Sequence, residues 1–82
     1  MRCMIAGYPF NLETSEVEAA MHGVEPEPIR GACAQIGGRW YPVMQIGALV
    51  TGQDRRDFTA AEVHRAMTGL GLPARLTPPT AS

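Results

Sequence analysis

The sequence predicts a small single α+β domain in the order β-α-β-β-α-α, with a short antiparallel sheet and a helix-turn-helix-like C-terminal half. Three observations in its 82 residues carry that prediction. Ser15-Glu16-Val17-Glu18 and Thr59-Ala60-Ala61-Glu62 have the form of capping boxes, in which hydroxyl and carboxylate each satisfy a backbone N–H left over at a helix start. Gly37-Gly38 between two short strand-like runs is a hairpin-turn dipeptide. Val43, Ile46, Leu49 and Val50 recur at helical spacing.

Residues 2–8 are short and apolar and read as one strand. Ser15 is the expected N-cap of a first helix through Val17, Ala20 and Met21, with Gly23 as its C′ residue. Glu25-Pro26-Glu27-Pro28 must be an extended connector, because each proline pushes the residue before it out of the helical region. Residues 32–36 alternate weakly and pair across Gly37-Gly38 with Arg39-Trp40-Tyr41, where one ring is expected in the core and one half exposed. Pro42 fits the N1 position of a second helix, which Gly52 closes. Gly47 inside that helix costs about 1 kcal/mol relative to alanine, so another element is expected to approach it closely.

The third helix has Thr59 as its cap and Phe58 stapled to Val63. Val63, Ala66, Met67 and Leu70 form its buried stripe, and Gly71 ends it. Residues 72–76 are a candidate edge strand. Residues 77–82, two prolines among small polar side chains, cannot pack a core, so the domain is expected over 1–76 with a frayed tail. The expected core is Val17, Met21, Ile36, Ile46, Leu49, Val50, Phe58, Val63, Met67 and Leu70.

Composition narrows the function classes. An apolar content of 45% argues for folding rather than disorder. No apolar run approaches the roughly 18 residues of a membrane span, and Tyr8-Pro9 arrives too early for a signal peptide. A cytoplasmic location without a membrane partner is expected. Cys3 and Cys33 are therefore expected to be reduced and buried. With His22 and His64 they show neither a C-x₂₋₄-C nor an H-x₃₋₅-H pair, so neither metal nor cofactor is expected. No nucleophile elbow and no phosphate loop occurs, and an enzyme is not expected.

The charge of −1 conceals an asymmetry. Residues 1–31 hold two arginines against five glutamates (−3), and residues 32–82 hold five arginines against three acids (+2). Such a bipolar domain suits contact with a charged partner. Two sets of candidate residues follow. In a DNA-associated or transcription-regulatory protein, Arg55 and Arg56 of the charged loop would contact phosphate. His64, Arg65 and Thr68 on the last helix would then face the major groove of double-stranded DNA. In a protein-interaction or adaptor module, Glu16, Glu18, Glu25 and Glu27, with Trp40, would meet a larger protein partner or a second copy in a homodimer. DNA association is the leading expectation and the interaction module is the alternative.

The run from Ile36-Gly37-Gly38-Arg39-Trp40-Tyr41-Pro42-Val43-Met44-Gln45-Ile46 through Asp54-Arg55-Arg56-Asp57-Phe58-Thr59 to Leu70-Gly71-Leu72 resembles small actinobacterial proteins. It is also similar to the N-terminal module of some modification-dependent restriction endonucleases. The common features are a hairpin ending in Tyr-Pro, an apolar helix, Phe58 before a capped helix and a closing Leu-Gly. The resemblance implies association with DNA. Met44 stands where that module has a lysine, so the resemblance assigns no functional residue.

Overall fold

A computed structural model of the chain describes residues 2–5 and 7–78, apart from the side chains of Cys3 and Tyr8. The elements are β1 (Arg2–Ile5), β2 (Tyr8–Asn11), α1 (Thr14–Met21), β3 (Cys33–Ile36), β4 (Arg39–Pro42), α2 (Val43–Thr51), α3 (Ala60–Gly69) and β5 (Ala74–Arg75). This is the expected α+β class. The strands form two antiparallel sheets, β1-β2 and β4-β3-β5.

The segment read as one strand over 2–8 is instead a hairpin, closing on the pair Ile5↔Tyr8. Gly7 takes the left-handed backbone, φ 80°, that such a reversal needs. Pro9 lies within β2 and lacks an N–H, which an edge strand of a two-stranded sheet tolerates. In the second sheet, Gly37 (φ 60°) and Gly38 (φ 84°) both adopt positive φ, which matches the turn to the twist of β3 and β4. The register places Ala34 opposite Tyr41 and Gln35 opposite Trp40. Ala34, Ile36 and Tyr41 are buried, while Gln35 and Trp40, on the alternate positions, are half-buried. The two rings split as expected. β5 completes the sheet along the other edge of β3, helped by a 2.8 Å bond from the Gln35 N–H to the Pro73 carbonyl.

α1 starts earlier than its capping signature predicts. Glu13, not Ser15, is its N-cap, and no side chain bonds there. α2 starts at Val43 with Pro42 as N-cap rather than N1, and its first N–H is satisfied by the Ala32 carbonyl at 3.1 Å. Gly52 at φ 72° closes it. α3 has the complete predicted box, Thr59 and Glu62 each accepting from the other's backbone. It ends in a Schellman arrangement, with Gly71 N–H on the Thr68 carbonyl (3.0 Å) and Leu72 N–H on the Met67 carbonyl (3.1 Å).

The core is one cluster that includes Ile5, Leu12, Val17, Met21, Ile36, Tyr41, Val43, Ile46, Phe58, Val63 and Met67. α2 is its centre, packed on α1, α3 and β4. The close approach expected at Gly47 is present. A Cβ there would lie 2.5 Å from Phe58 Cε2 and 2.7 Å from Val63 Cγ2, so hydrogen is the only side chain that lets α3 dock on α2 at this distance. Three core expectations need correction. Leu49 is 47% exposed, and Val50 and Leu70 are only partly buried against the cluster. The apolar stripe of α2 is wider than the surfaces that cover it.

Candidate functional site

The connector between α1 and β3 is the segment on which the charged residues converge, and three side chains hold it. The Tyr41 hydroxyl reaches the carbonyls of Met21 (3.3 Å) and Val24 (3.1 Å), fixing the exit from α1. Gln45, buried within α2, donates from Nε2 to the Glu25 carbonyl (2.9 Å) and accepts at Oε1 from the Glu27 N–H (3.0 Å). It thus supplies the donor and acceptor that a neighbouring strand would otherwise offer this extended backbone. Arg55 then grips the Glu27 carboxylate in a two-pronged pair, both N···O distances 2.6 Å. That guanidinium bond holds the Glu27 carboxyl below its ordinary pKa range, and Glu27 in return raises that of Arg55.

Residues assigned to alternative functions are therefore bonded to one another. Arg55 was expected on DNA and Glu27 on a basic partner. Arg56 is also occupied, with Nε 3.2 Å from Asp54 Oδ1, and hydrogen bonds from Arg56 lower the Asp54 pKa. On α3, the Thr68 hydroxyl donates back to the carbonyls of its own helix at His64 and Arg65, both 2.9 Å away, so it offers no free donor outward. His64 is half-buried. Arg65 is exposed and has no acidic partner among the described residues. In the acidic set, Glu16 and Glu18 are both exposed on α1 and Glu25 is exposed on the connector. None of these three has a basic partner among the described residues.

Gln45 and Tyr41 were not expected to have these roles. A usable signal existed for Gln45, the one amide in a helix without charge, facing a proline-rich connector whose peptide groups need partners. Cys33 is a free, buried thiol whose pKa burial pushes up, a nearby Arg75 opposing. Its Sγ lies 3.5 Å from the Thr77 carbonyl. The Cys3 side chain and residues 79–82 of the expected tail lie outside the described residues. Among the described residues no three His, Cys, Asp or Glu side chains gather as metal ligands, and no helix is long and apolar enough to cross a membrane.

A family model described as SCO5918-like matches residues 1–82. The chain belongs to the SCO5918-like family. No curated protein and no solved structure matches it. In this member of the SCO5918-like family the geometry itself is the guide to function.

Proposed function

We propose that the protein is an interaction module whose acidic N-terminal face docks on a basic surface of a larger protein. The observation that carries this reading is the internal pairing of Arg55 with Glu27 and of Arg56 with Asp54. A duplex-binding surface needs free cations to displace condensed counterions from phosphate. Two of the three arginines nominated for DNA already face carboxylates, whereas Glu16, Glu18 and Glu25 are exposed and unneutralised among the described residues. Charge complementarity then favours a basic protein partner, which such charges steer and orient more than they tighten. The proposed location is the cytoplasm, whose reducing conditions suit the free Cys33 thiol.

A second reading keeps double-stranded DNA as the ligand. Exposed Arg65 on α3 favours it. Fluorescence anisotropy separates the two. At about 50 mM salt, where electrostatic attraction is strong, labelled protein is expected to ignore duplex DNA. It is expected to bind an Arg/Lys-rich peptide, more weakly as salt rises. Glu16→Arg with Glu18→Arg should abolish peptide binding, and Arg65→Ala should not change it. Salt-sensitive DNA binding that Arg65→Ala weakens would overturn the docking reading in favour of the second.

A further inference from the structure

We infer that the cleft between the C-terminal end of α1 and the β3–β4 turn is a binding site for a small zwitterion of amino-acid or short-peptide chemistry. This goes beyond the docking reading and does not rest on it. The cleft has a volume of about 470 Å³, within the range of about 300–1,000 Å³ typical of small-molecule sites. Its floor is apolar, made by the buried side chains of Met21, Ile36 and Tyr41. Its rim is charged with both signs. Glu18 and His22 come from α1 and its C-cap, and Arg39 comes from the first position of β4.

The decisive feature is that these opposite charges do not satisfy one another. Elsewhere on the surface Arg55 and Arg56 each close on a carboxylate. Glu18 and Arg39 line a single cleft, yet neither side chain has a hydrogen bond or ion pair among the described residues. The α1 end of the cleft is made more negative by the helix terminus, since α1 carries no basic residue in its last turn. A ligand's ammonium therefore belongs at the Glu18 carboxylate. Its carboxylate belongs on the Arg39 guanidinium, which is shaped to take one in two parallel bonds. An apolar ligand side chain covers the floor, and His22 adds a polar contact at the rim. A ligand of one charge meets attraction at one end and repulsion at the other, which selects for the zwitterion.

The test is a titration of the ¹⁵N-labelled protein with leucine and, separately, with the dipeptide Leu-Leu, followed at the amide signals of His22, Gly23 and Gly37. One of the two is expected to saturate those signals, and which one does so distinguishes the free amino acid from the peptide. N-acetyl-leucine and leucinamide, each lacking one charge, are expected to bind at least about tenfold more weakly, as the loss of a charge-assisted bond implies. Glu18→Gln and Arg39→Gln should each weaken zwitterion binding by about tenfold. Both positions are exposed, so the variants should retain the wild-type fold. Glu18 belongs to both this cleft and the docking face, so Arg39→Gln, which should leave basic-peptide binding intact, is the variant that tells the two apart. Silence of these amides at millimolar ligand, or equal binding of the singly charged analogues, would overturn the inference.

Discussion

Helices α1 and α3 begin with the same polar signature, a hydroxyl residue followed three positions later by glutamate, and only α3 uses it. The difference lies in the apolar residues around each start. Phe58 precedes the Thr59 cap and Val63 is the fourth helical residue, and both are buried. Cap and staple agree. In α1 a cap at Ser15 would place Thr14 and Ala19 at the staple positions, and Ala19 is exposed. Starting from Glu13 instead puts Leu12 and Val17 there, both in the core cluster. A side-chain cap contributes about 0.5–2 kcal/mol, and burying one leucine contributes about 1.5–3 kcal/mol. Where the two cues conflict, burial sets the register and the polar box goes unused.

The largest effects are expected at the staples. Phe58→Ala should cost about 3–5 kcal/mol and Leu12→Ala about 2–5 kcal/mol, read as urea midpoints by circular dichroism. A core in a chain this small supplies only about 3–5 kcal/mol, so Phe58→Ala is expected to be largely unfolded. A loss at Leu12 under about 0.5 kcal/mol would mean that burial does not hold the α1 register. Next in size, Gly47→Ala sets a Cβ against both members of the α3 staple. Overpacking there should cost about 1–3 kcal/mol.

A finer measurement compares the caps themselves. Thr59→Ala should lower stability by about 1 kcal/mol, whereas Ser15→Ala should stay within about 0.5 kcal/mol. Equal losses would show that α1 uses its box after all. The smallest effect concerns the connector. Arg55 holds the Glu27 pKa below the ordinary 4.5. A carboxylate depressed in the folded state adds stability above its unfolded pKa and loses it as pH falls through the folded one. With both partners nearly half exposed, that contribution is about 0.5 kcal/mol or less. Glu27→Gln should therefore narrow the stability difference between pH 7 and acid conditions slightly, and leave stability below the folded pKa unchanged.

Much of the fold was legible because its signals are local. The Gly37-Gly38 turn, the α3 box and the glycines after α1, α2 and α3 act on backbone groups a few residues away. The N-terminal hairpin was missed because Gly7 is a weak turn signal within an apolar run, where only strand pairing separates one strand from two. Leu49 follows the same spacing as Ile46 but is left 47% exposed. Periodicity shows which stripe of a helix is apolar, not how much of it the neighbours cover.

The candidate site was legible in residue type but not in partnership. Charge asymmetry singled out Glu27 and Arg55, but under two alternative functions and not as partners. Only the packed chain brings them together across 28 residues, because Tyr41 and Gln45 first anchor the connector against β4 and α2. The amino-acid sequence alone specifies the Gly37-Gly38 turn, the α3 cap, the uncharged central helix and the small residue on which α3 rests. Tertiary structure alone decided the start of α1, the sheet edge taken by β5, and which charges cancel and which remain free. Local cues depend on backbone geometry within about one helical turn. Burial and ion pairing depend on distances between residues far apart in the chain, which exist only once the core has closed.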